Sequence, residues 1–214
     1  MPAYQPPTQP WLDLVCNGSE YLVFCKPTGL LSVPGKNEPD CLETRVRDRF
    51  EDALIVHRLD MATSGIILFA RGKTALADLG WQFESRTVEK RYVAVVSGTV
   101  DADEGTIDAP LRCDWPNRPL QMICHEQGRP ATTHWKVLAR GNGWTRLALT
   151  PVTGRSHQLR VHLTSIGHPI LGDEWYGDET SQNAANRLLL HAEYLAFTAP
   201  GDGPRVEVTC PAPF

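Results

Sequence analysis

Two short apolar runs, at residues 53–57 and 65–70, enclose a polar segment that carries His57, Arg58 and Asp60. Runs of this length, separated by Thr, Ser and Gly, predict two buried strands joined by a turn. A carboxylate between buried strands is costly unless a partner compensates its charge, and such sites are often catalytic. The same residue types are common in hairpin turns, so the segment by itself favours an active site and a plain turn equally.

The composition of the chain excludes several classes of protein. Its 214 residues are 42% hydrophobic and 21% charged, which is typical of a globular protein with a sizeable core. The net charge of -4 disfavours a generally basic RNA-binding coat and is compatible with a local basic groove. None of the six cysteines forms a C-x-x-C pair, which predicts free thiols in a reducing, cytoplasmic compartment. No apolar run is long enough to span a bilayer.

The order of the predicted elements favours an α+β fold with a central mixed or antiparallel sheet, flanked by helices and loops. The first ten residues contain four prolines and are expected to form an extended arm, followed by a single domain over residues 11–214. Strands are predicted at 21–25, 53–57, 65–70, 92–97, 133–139, 144–149, 188–197 and 205–209. Helices are predicted at 73–86 and 156–166, and the polar residues 178–187 are expected to form a loop.

A second polar cluster lies at the start of the predicted helix 156–166. Arg155, His157 and Arg160 would there add donors to the free backbone N–H groups at the positive end of the helix dipole. Because His157 and Arg160 are three residues apart, they would share a face that could bind a carboxylate or a phosphate. The alternative is a solvated polar face, as on any amphipathic helix.

Two further groups carry weaker signals. Lys90 and Tyr92 stand at the start of a strong strand, where the amine could contact phosphate and the ring could stack on a base. An aromatic ring at such a position is more often part of the core. Trp115 and Arg118, in a turn-rich segment, could contact single-stranded RNA or brace a long loop. The histidines do not have the H-E-x-x-H spacing, so no metal site is expected.

Several motifs resemble those of the RluA family of pseudouridine synthases. The signature segment reads His57-Arg58-Leu59-Asp60, followed by Thr63-Ser64-Gly65. Further segments that resemble family motifs, in the same order, are Lys26-Pro27-x-Gly29-Leu30-Leu31, Glu89-Lys90-x-Tyr92, Gly154-Arg155-x-His157-Gln158-Leu159-Arg160-x-His162, Gly167-His168-Pro169-Ile170-Leu171-Gly172-Asp173 and Arg187-Leu188-x-Leu190-His191-Ala192. The resemblance covers about residues 20–210. It implies a pseudouridine synthase catalytic domain without the S4-type RNA-binding module of some relatives.

The resemblance also implies a role for individual residues. Asp60 would be the catalytic aspartate, Arg58 would enter the RNA stack where the target uridine leaves, and Tyr92 would stack on the flipped uracil. On a strand, Arg58 and Asp60 would share a face, which would couple flipping to catalysis. Arg160 would pair with Asp60, and Arg155 is the fallback for that role. The remaining predicted RNA contacts are His57, Arg155, His157, Lys90 and Arg118.

The reaction and the partners follow from the same resemblance. Uridine would be isomerised to pseudouridine without redox change or net hydrolysis, so no cofactor and no metal are expected. Segment Trp115-Pro116-Asn117-Arg118-Pro119 and the proline-rich arm point to the family member that acts on both 23S ribosomal RNA and tRNA. An enzyme for tRNA only, a non-catalytic RNA-binding relative and a metal-dependent hydrolase are the alternatives. We expect a cytoplasmic monomer without membrane contact or an obligate protein partner.

Overall fold

The computed structural model describes residues 4–214 and is rich in β-strands. The strands are β1 Leu14–Asn17, β2 Tyr21–Lys26, β3 Ala53–Ile55, β4 Ser64–Arg71, β5 Glu89–Ser97, β6 Glu104–Asp108, β7 Leu111–Cys113, β8 Gln121–Ile123, β9 Thr132–Gly141, β10 Trp144–Pro151, β11 Leu190–Thr198 and β12 Arg205–Thr209. The helices are α1 Leu42–Arg49, α2 Lys73–Glu84, α3 Gln158–Ser165 and α4 Glu179–Asn183. These elements confirm the predicted α+β class.

The chain forms two compact units. The first reaches to Lys90 and includes Ala192–Pro213. Its strands follow the order β1-β2-β4-β11, with β3 paired to β4 and β12 paired to β11. Strand β4 is buried along nearly its whole length because it has a strand on either side and α2 packs against it. A strand covered in this way has a continuous apolar sequence instead of an alternating one, which explains the run at 65–70.

The second unit comprises Arg91–His191 and Phe214. Its strands follow the order β5-β10-β9-β6, and β7 and β8 form a separate antiparallel pair. A small core of Leu111, Ala131 and Val161 connects the β7–β8 pair to helix α3. Helix α3 is therefore largely buried within this unit.

Several predicted boundaries and one predicted loop differ from the structure. The strand predicted at 53–57 ends at Ile55, and the helix predicted from residue 156 begins at Gln158. The loop prediction for 178–187 is wrong over Glu179–Asn183, which forms α4. The carboxylate of Asp178 accepts a hydrogen bond from the backbone N–H of Ser181 at 2.8 Å, so Asp178 caps this short helix. That backbone hydrogen bond lowers the pKa of Asp178.

The predicted N-terminal arm falls partly outside the described residues. From Tyr4 to Pro10 it has no regular secondary structure. The Tyr4 hydroxyl donates to the carbonyl of Asp40 at 3.0 Å, and the carbonyl of Pro7 accepts from the guanidinium of Arg45 at 2.9 Å. These hydrogen bonds attach the segment to the start of α1. The predicted boundary between an arm and a single catalytic domain stays a prediction.

Among residues 4–214, no helix combines the length and the apolar composition that crossing a membrane requires.

Gly65, the second residue of β4, generates a test of this packing. Its φ is +115°, and a Cβ atom there would lie 2.3–2.8 Å from the backbone of Ala192 in β11. We expect Gly65→Ala to lower the free energy of unfolding by about 2–4 kcal/mol, measured by urea denaturation. The matched control is Gly80→Ala in α2, where nothing lies within 4 Å of the added methyl group. That change should leave stability equal or raise it by up to about 1 kcal/mol. Equal stabilities of Gly65→Ala and the wild type would contradict the close approach of β11.

Candidate active site

Asp60 lies in an irregular loop, residues 56–63, between β3 and β4. The backbone N–H of Thr63 donates to the carbonyl of Asp60 at 3.1 Å, which closes a turn over these four residues. The segment therefore forms a turn, and a turn can also carry a reactive carboxylate. Because β3 ends before the loop, Arg58 and Asp60 do not share the face of a strand, and that part of the prediction is wrong.

Lys26, the last residue of β2, forms a hydrogen bond with the backbone of this loop. Its side chain is fully buried, and its ammonium group donates to the carbonyls of Pro27, Leu30 and Met61 at 2.9, 2.7 and 2.9 Å. The backbone N–H of Gly29 donates to the same Met61 oxygen at 2.9 Å. An ammonium group has three donors, and a buried charge is tolerable only when such groups are satisfied. The residue that follows Asp60 is thus held by a charged group inside the protein.

Two hydroxyl groups hold the loop on either side of Asp60. Ser32 Oγ donates to the carbonyl of Leu59 at 2.6 Å and accepts from the N–H of the same residue at 3.1 Å. Thr28 Oγ1 donates to the carbonyl of Ala62 at 2.7 Å. The backbone around Asp60 is therefore fixed by side chains of segment 26–32, which is the segment that resembled the family's early motif. Fixed backbone of this kind aims a carboxylate without cost at the moment of reaction.

The side chains around Asp60 differ in exposure. Leu59 is buried, Asp60 is partly buried, and Arg58 is exposed to solvent. An exposed guanidinium next to a fixed aspartate is available to an RNA molecule. The wedge role of Arg58 stays a prediction.

His57 forms a hydrogen bond with the backbone of β4. Its Nε2 accepts a hydrogen bond from the N–H of Leu68 in β4 at 3.1 Å, and its ring stacks on Phe83 of α2 at a centroid distance of 4.7 Å. Burial, followed by the nearby charge of Lys90, lowers the pKa of His57 to about 3. The ring is neutral at physiological pH, so any contact with RNA would lack charge. The contact of His57 with RNA stays a prediction, and in the structure the ring contacts the protein backbone.

Lys90 is less exposed than a phosphate contact would favour. Its Nζ lies 5.8 Å from the ring centre of Phe83, and its pKa is lowered by burial and then by the charge of Arg86.

Arg160 in α3 is buried, and its guanidinium forms a bidentate ion pair with Asp173. Nε lies 2.8 Å from one carboxylate oxygen and a terminal nitrogen lies 2.6 Å from the other. The guanidinium carbon lies 4.9 Å from the ring centre of Trp175 and 5.0 Å from that of Tyr176. The expectation of a solvated polar helix face is therefore wrong at Arg160, because an internal carboxylate neutralises this charge. The predicted pairing of Arg160 with Asp60 stays a prediction.

The first turn of α3 is held by a buried network centred on Gln158. Its amide nitrogen donates to the hydroxyl of Thr133 at 3.0 Å, and that hydroxyl lies 2.9 Å from Nδ1 of His162. Nε2 of His162 donates to the carbonyl of Ala109 at 3.0 Å, so Nδ1 is the acceptor from Thr133. Burial lowers the pKa of His162. Both ring nitrogens are thus occupied by protein groups, which leaves this histidine unsuited to the metal-dependent alternative.

His157 precedes α3 in a left-handed conformation, with φ +53°. Such a conformation costs a non-glycine residue of order 1 kcal/mol, and it is retained where surrounding contacts impose it. Here Nδ1 lies 2.6 Å from the hydroxyl of Tyr176, which also accepts from the backbone N–H of Gln121 at 2.8 Å. The Tyr176 hydroxyl therefore links the β7–β8 pair to the start of the helix.

The other predicted site residues occupy separate places. Tyr92 is partly buried on β5, opposite Leu149 of β10. Arg155 donates to the carbonyl of Pro130 at 3.2 Å. Arg118 lies over the ring of Trp115 at 3.4 Å, in the turn between β7 and β8.

Lys26 in the first unit and Asp173 in the second had no role assigned from the sequence. Both lie within motifs that resembled the family. A signal existed for each: a lysine at the end of an apolar strand and an aspartate after an apolar run are charges that must be compensated if buried. The partners, however, are backbone carbonyls in one case and a side chain 13 positions earlier in the other.

Comparison with known proteins finds relatives that are similar to this chain over most of its length. A family model described as RNA pseudouridylate synthase matches residues 20–165. The chain is 50% identical to the dual-specificity RNA pseudouridine synthase RluA of Pasteurella multocida, over 92% of each chain. It is 47% identical to the protein of the same name from Escherichia coli K12, over 100% of this chain and 99% of that one. The solved structure of human RNA pseudouridylate synthase domain containing 1 matches with a TM-score of 0.82 and 32% identity, covering 98% of this chain and 87% of that chain.

The buried ammonium of Lys26 generates a stability prediction. Lys26→Met keeps the length of the side chain and removes the ammonium donor from the carbonyls of Pro27, Leu30 and Met61, of which Met61 keeps the N–H of Gly29. We expect it to lower the free energy of unfolding by about 3–5 kcal/mol, measured by urea denaturation. The control is Lys73→Met on the exposed start of α2, which should change stability by no more than about 0.5 kcal/mol. Similar values for the two variants would show that the Lys26 charge is not needed to hold the loop.

The lowered pKa of His57 generates a pH prediction. Between pH 6.5 and about 3 the unfolded chain binds a proton at this residue and the folded chain does not, so folded stability falls as pH falls. The slope from this group reaches about 1.4 kcal/mol per pH unit. We expect His57→Gln, which keeps an acceptor for Leu68, to flatten the dependence of unfolding free energy on pH between 6.5 and 4.5. His125→Gln, at an exposed histidine, should retain the wild-type slope. If both variants keep that slope, His57 is not neutral in the folded protein.

Proposed function

This chain belongs to the RNA pseudouridylate synthase family, and from that premise we propose that it converts specific uridines of 23S ribosomal RNA and of tRNA to pseudouridine. The observation that carries the proposal is Asp60, set in a turn whose backbone is fixed by Lys26, Thr28 and Ser32. Near-complete coverage of two relatives named dual-specificity enzymes supports the two substrates.

The proposed reaction is an isomerisation without redox change, so it depends on how the protein positions the uridine and places charge around it. The N1–C1′ glycosidic bond breaks, the uracil turns, and a new bond forms between C5 and C1′, with the C5 proton lost and N1 protonated. The uridine must first leave the RNA stack, which costs a few kcal/mol. The protein must therefore open the stack, hold the detached base and keep water away from it.

In the proposed mechanism Asp60 is the catalytic residue. Its carboxylate acts either as the nucleophile at C1′ or as the base that removes the 2′ proton. Support comes from the loop: its carbonyls point at Lys26, Thr28 and Ser32. The backbone on both sides of Asp60 is thereby held by the protein itself.

Arg58 and Tyr92 are proposed to act on the bases. Arg58 is exposed beside Asp60, and its planar guanidinium can fill the gap left by the flipped uridine and bind phosphate. Tyr92 is proposed to stack on the uracil while it rotates. His57, Lys90, Arg118, Arg155 and His157 remain proposed contacts to the RNA, with His57 contributing no charge.

Arg160 is the proposed partner of the catalytic carboxylate. Because Asp173 already neutralises its charge, the proposed contribution is a guanidinium of fixed orientation and not a net positive charge. That orientation is supported by Asp173, which also accepts the N–H groups of Trp175 and Tyr176 at 3.0 and 3.1 Å.

The proposed substrates can be tested on RNA from the cell. Pseudouridine should be mapped in total RNA with and without this protein. Without it, pseudouridine should be lost from sites in both 23S ribosomal RNA and tRNA. Loss in tRNA alone would support the tRNA-only alternative, and loss in neither would contradict the function. We further propose a cytoplasmic monomer that needs no protein partner.

Asp60 gives the direct test of the chemistry. We expect Asp60→Asn to lower kcat by about 10³-fold or more, because the amide neither attacks C1′ nor accepts a proton. The assay is release of tritium from RNA that carries 5-tritiated uridine, and RNA affinity by filter binding should stay within a few-fold. Asp48→Asn, at an exposed position on α1, is the control and should keep full activity. Near-normal turnover of Asp60→Asn would overturn the assignment.

Arg58 gives a test of base flipping. We expect Arg58→Ala to lower kcat/KM about 10-fold or more on a stem-loop, and less on a short unstructured RNA, because only stacked bases must be displaced. Stability should stay within about 0.5 kcal/mol of the wild type, since the side chain is exposed. Arg47→Ala, exposed on α1, serves as the charge-matched control. Equal losses on both RNAs would argue for a simple phosphate contact.

A further inference from the structure

Two cysteines far apart in the chain meet in the first unit. Cys25 lies on β2, and Cys210 follows the last residue of β12. Their sulfur atoms are 2.7 Å apart across 185 positions of sequence, with the Cys210 thiol donating to Cys25. Strands β4 and β11 stand between β2 and β12 in the order of the sheet, so this contact is a product of tertiary folding.

The backbone holds both residues in place. The N–H of Cys25 donates to the carbonyl of Asp13 at 2.9 Å, and the N–H of Cys210 donates to the carbonyl of Glu193 at 2.8 Å. Both side chains are partly exposed, so a small oxidant can reach them. In contrast, Cys41 is buried and caps α1, with its sulfur accepting from the N–H of Thr44.

We propose that Cys25 and Cys210 form a reversible intramolecular disulfide when the protein meets a peroxide. One equivalent of peroxide oxidises the Cys210 thiol to a sulfenic acid and is reduced to water or an alcohol. The Cys25 sulfur then attacks the Cys210 sulfur, the S–O bond breaks, and hydroxide leaves with the Cys25 proton as water. A dithiol such as dithiothreitol reverses the step by exchange and is itself oxidised.

The order of the two steps follows from the surroundings of Cys25. The hydrogen bond with Cys210, followed by burial, raises the pKa of the Cys25 thiol. Cys25 is therefore protonated at neutral pH, which leaves Cys210 to react first with the peroxide. The Cys25 proton is released with the hydroxide in the second step.

The bond would join the end of the chain to the strand that ends in Lys26. Cys25 is next to the residue whose ammonium holds the Asp60 loop. A covalent link here closes a loop of about 185 residues and restricts the unfolded chain strongly. The oxidised form should therefore resist unfolding more than the reduced form does.

The experiment treats the full-length protein with hydrogen peroxide and counts thiols under denaturing conditions. The reduced protein has six reactive thiols, and the oxidised protein should have four, six less the two joined. Peptide mass spectrometry should identify Cys25 linked to Cys210, with two hydrogen atoms lost. The midpoint of thermal unfolding should rise by about 5–10 °C on oxidation and return with dithiothreitol.

Serine variants provide the controls. Cys210→Ser should keep its five thiols as monomeric protein under mild oxidation. Cys25→Ser, which lacks the resolving thiol, should accumulate the sulfenic acid at Cys210, detected as its dimedone adduct. Neither variant should show a rise in the unfolding midpoint. Cys16→Ser, at a partly buried cysteine of the same unit, should still form the Cys25–Cys210 link. Six thiols after oxidation of the wild type, a link between other cysteines, or sulfinic acid at Cys210 with Cys25 still reduced would each overturn the proposal.

Discussion

The buried ammonium of Lys26 is the interaction on which the candidate active site depends. A charge without water is stable only where acceptors surround it, and three carbonyls do so here. One of them belongs to Met61, the residue after Asp60. The requirement to satisfy one buried cation therefore becomes a constraint on the backbone that carries the candidate catalytic carboxylate. Ser32 and Thr28 extend that constraint to both sides of it.

The second unit uses buried polar groups in the same way. Arg160 and Asp173 neutralise each other inside the protein, and Gln158, Thr133 and His162 form a satisfied network at the start of α3. Networks of this kind specify one arrangement, because any shift leaves a buried donor or acceptor unmatched. Polar residues that an amphipathic pattern would place on the surface are structural supports for the residues around them.

The sequence predicted more of the strands than of the polar contacts. The apolar run at 65–70 was sufficient to predict β4, and leucines at regular spacing were sufficient for α2. The short helix α4 was missed, although Asp178 is a common cap, because five residues carry too little periodic signal. Asp60 was proposed as catalytic from its motif and its setting between strands. Its Lys26 support was missed because nothing in the sequence spacing shows that Lys26 reaches a carbonyl 35 positions later.

The sequence by itself determined the α+β class, the family and the identity of the candidate catalytic residues, since these depend on local periodicity and on motifs of adjacent residues. Only the tertiary structure decided how the charges are used. Arg160 turned inward to Asp173, His57 became a neutral acceptor for the Leu68 N–H, and Cys25 came to lie against Cys210. The physical reason is burial: whether a polar group faces water or a partner depends on neighbours that are distant in sequence, and burial makes the difference large.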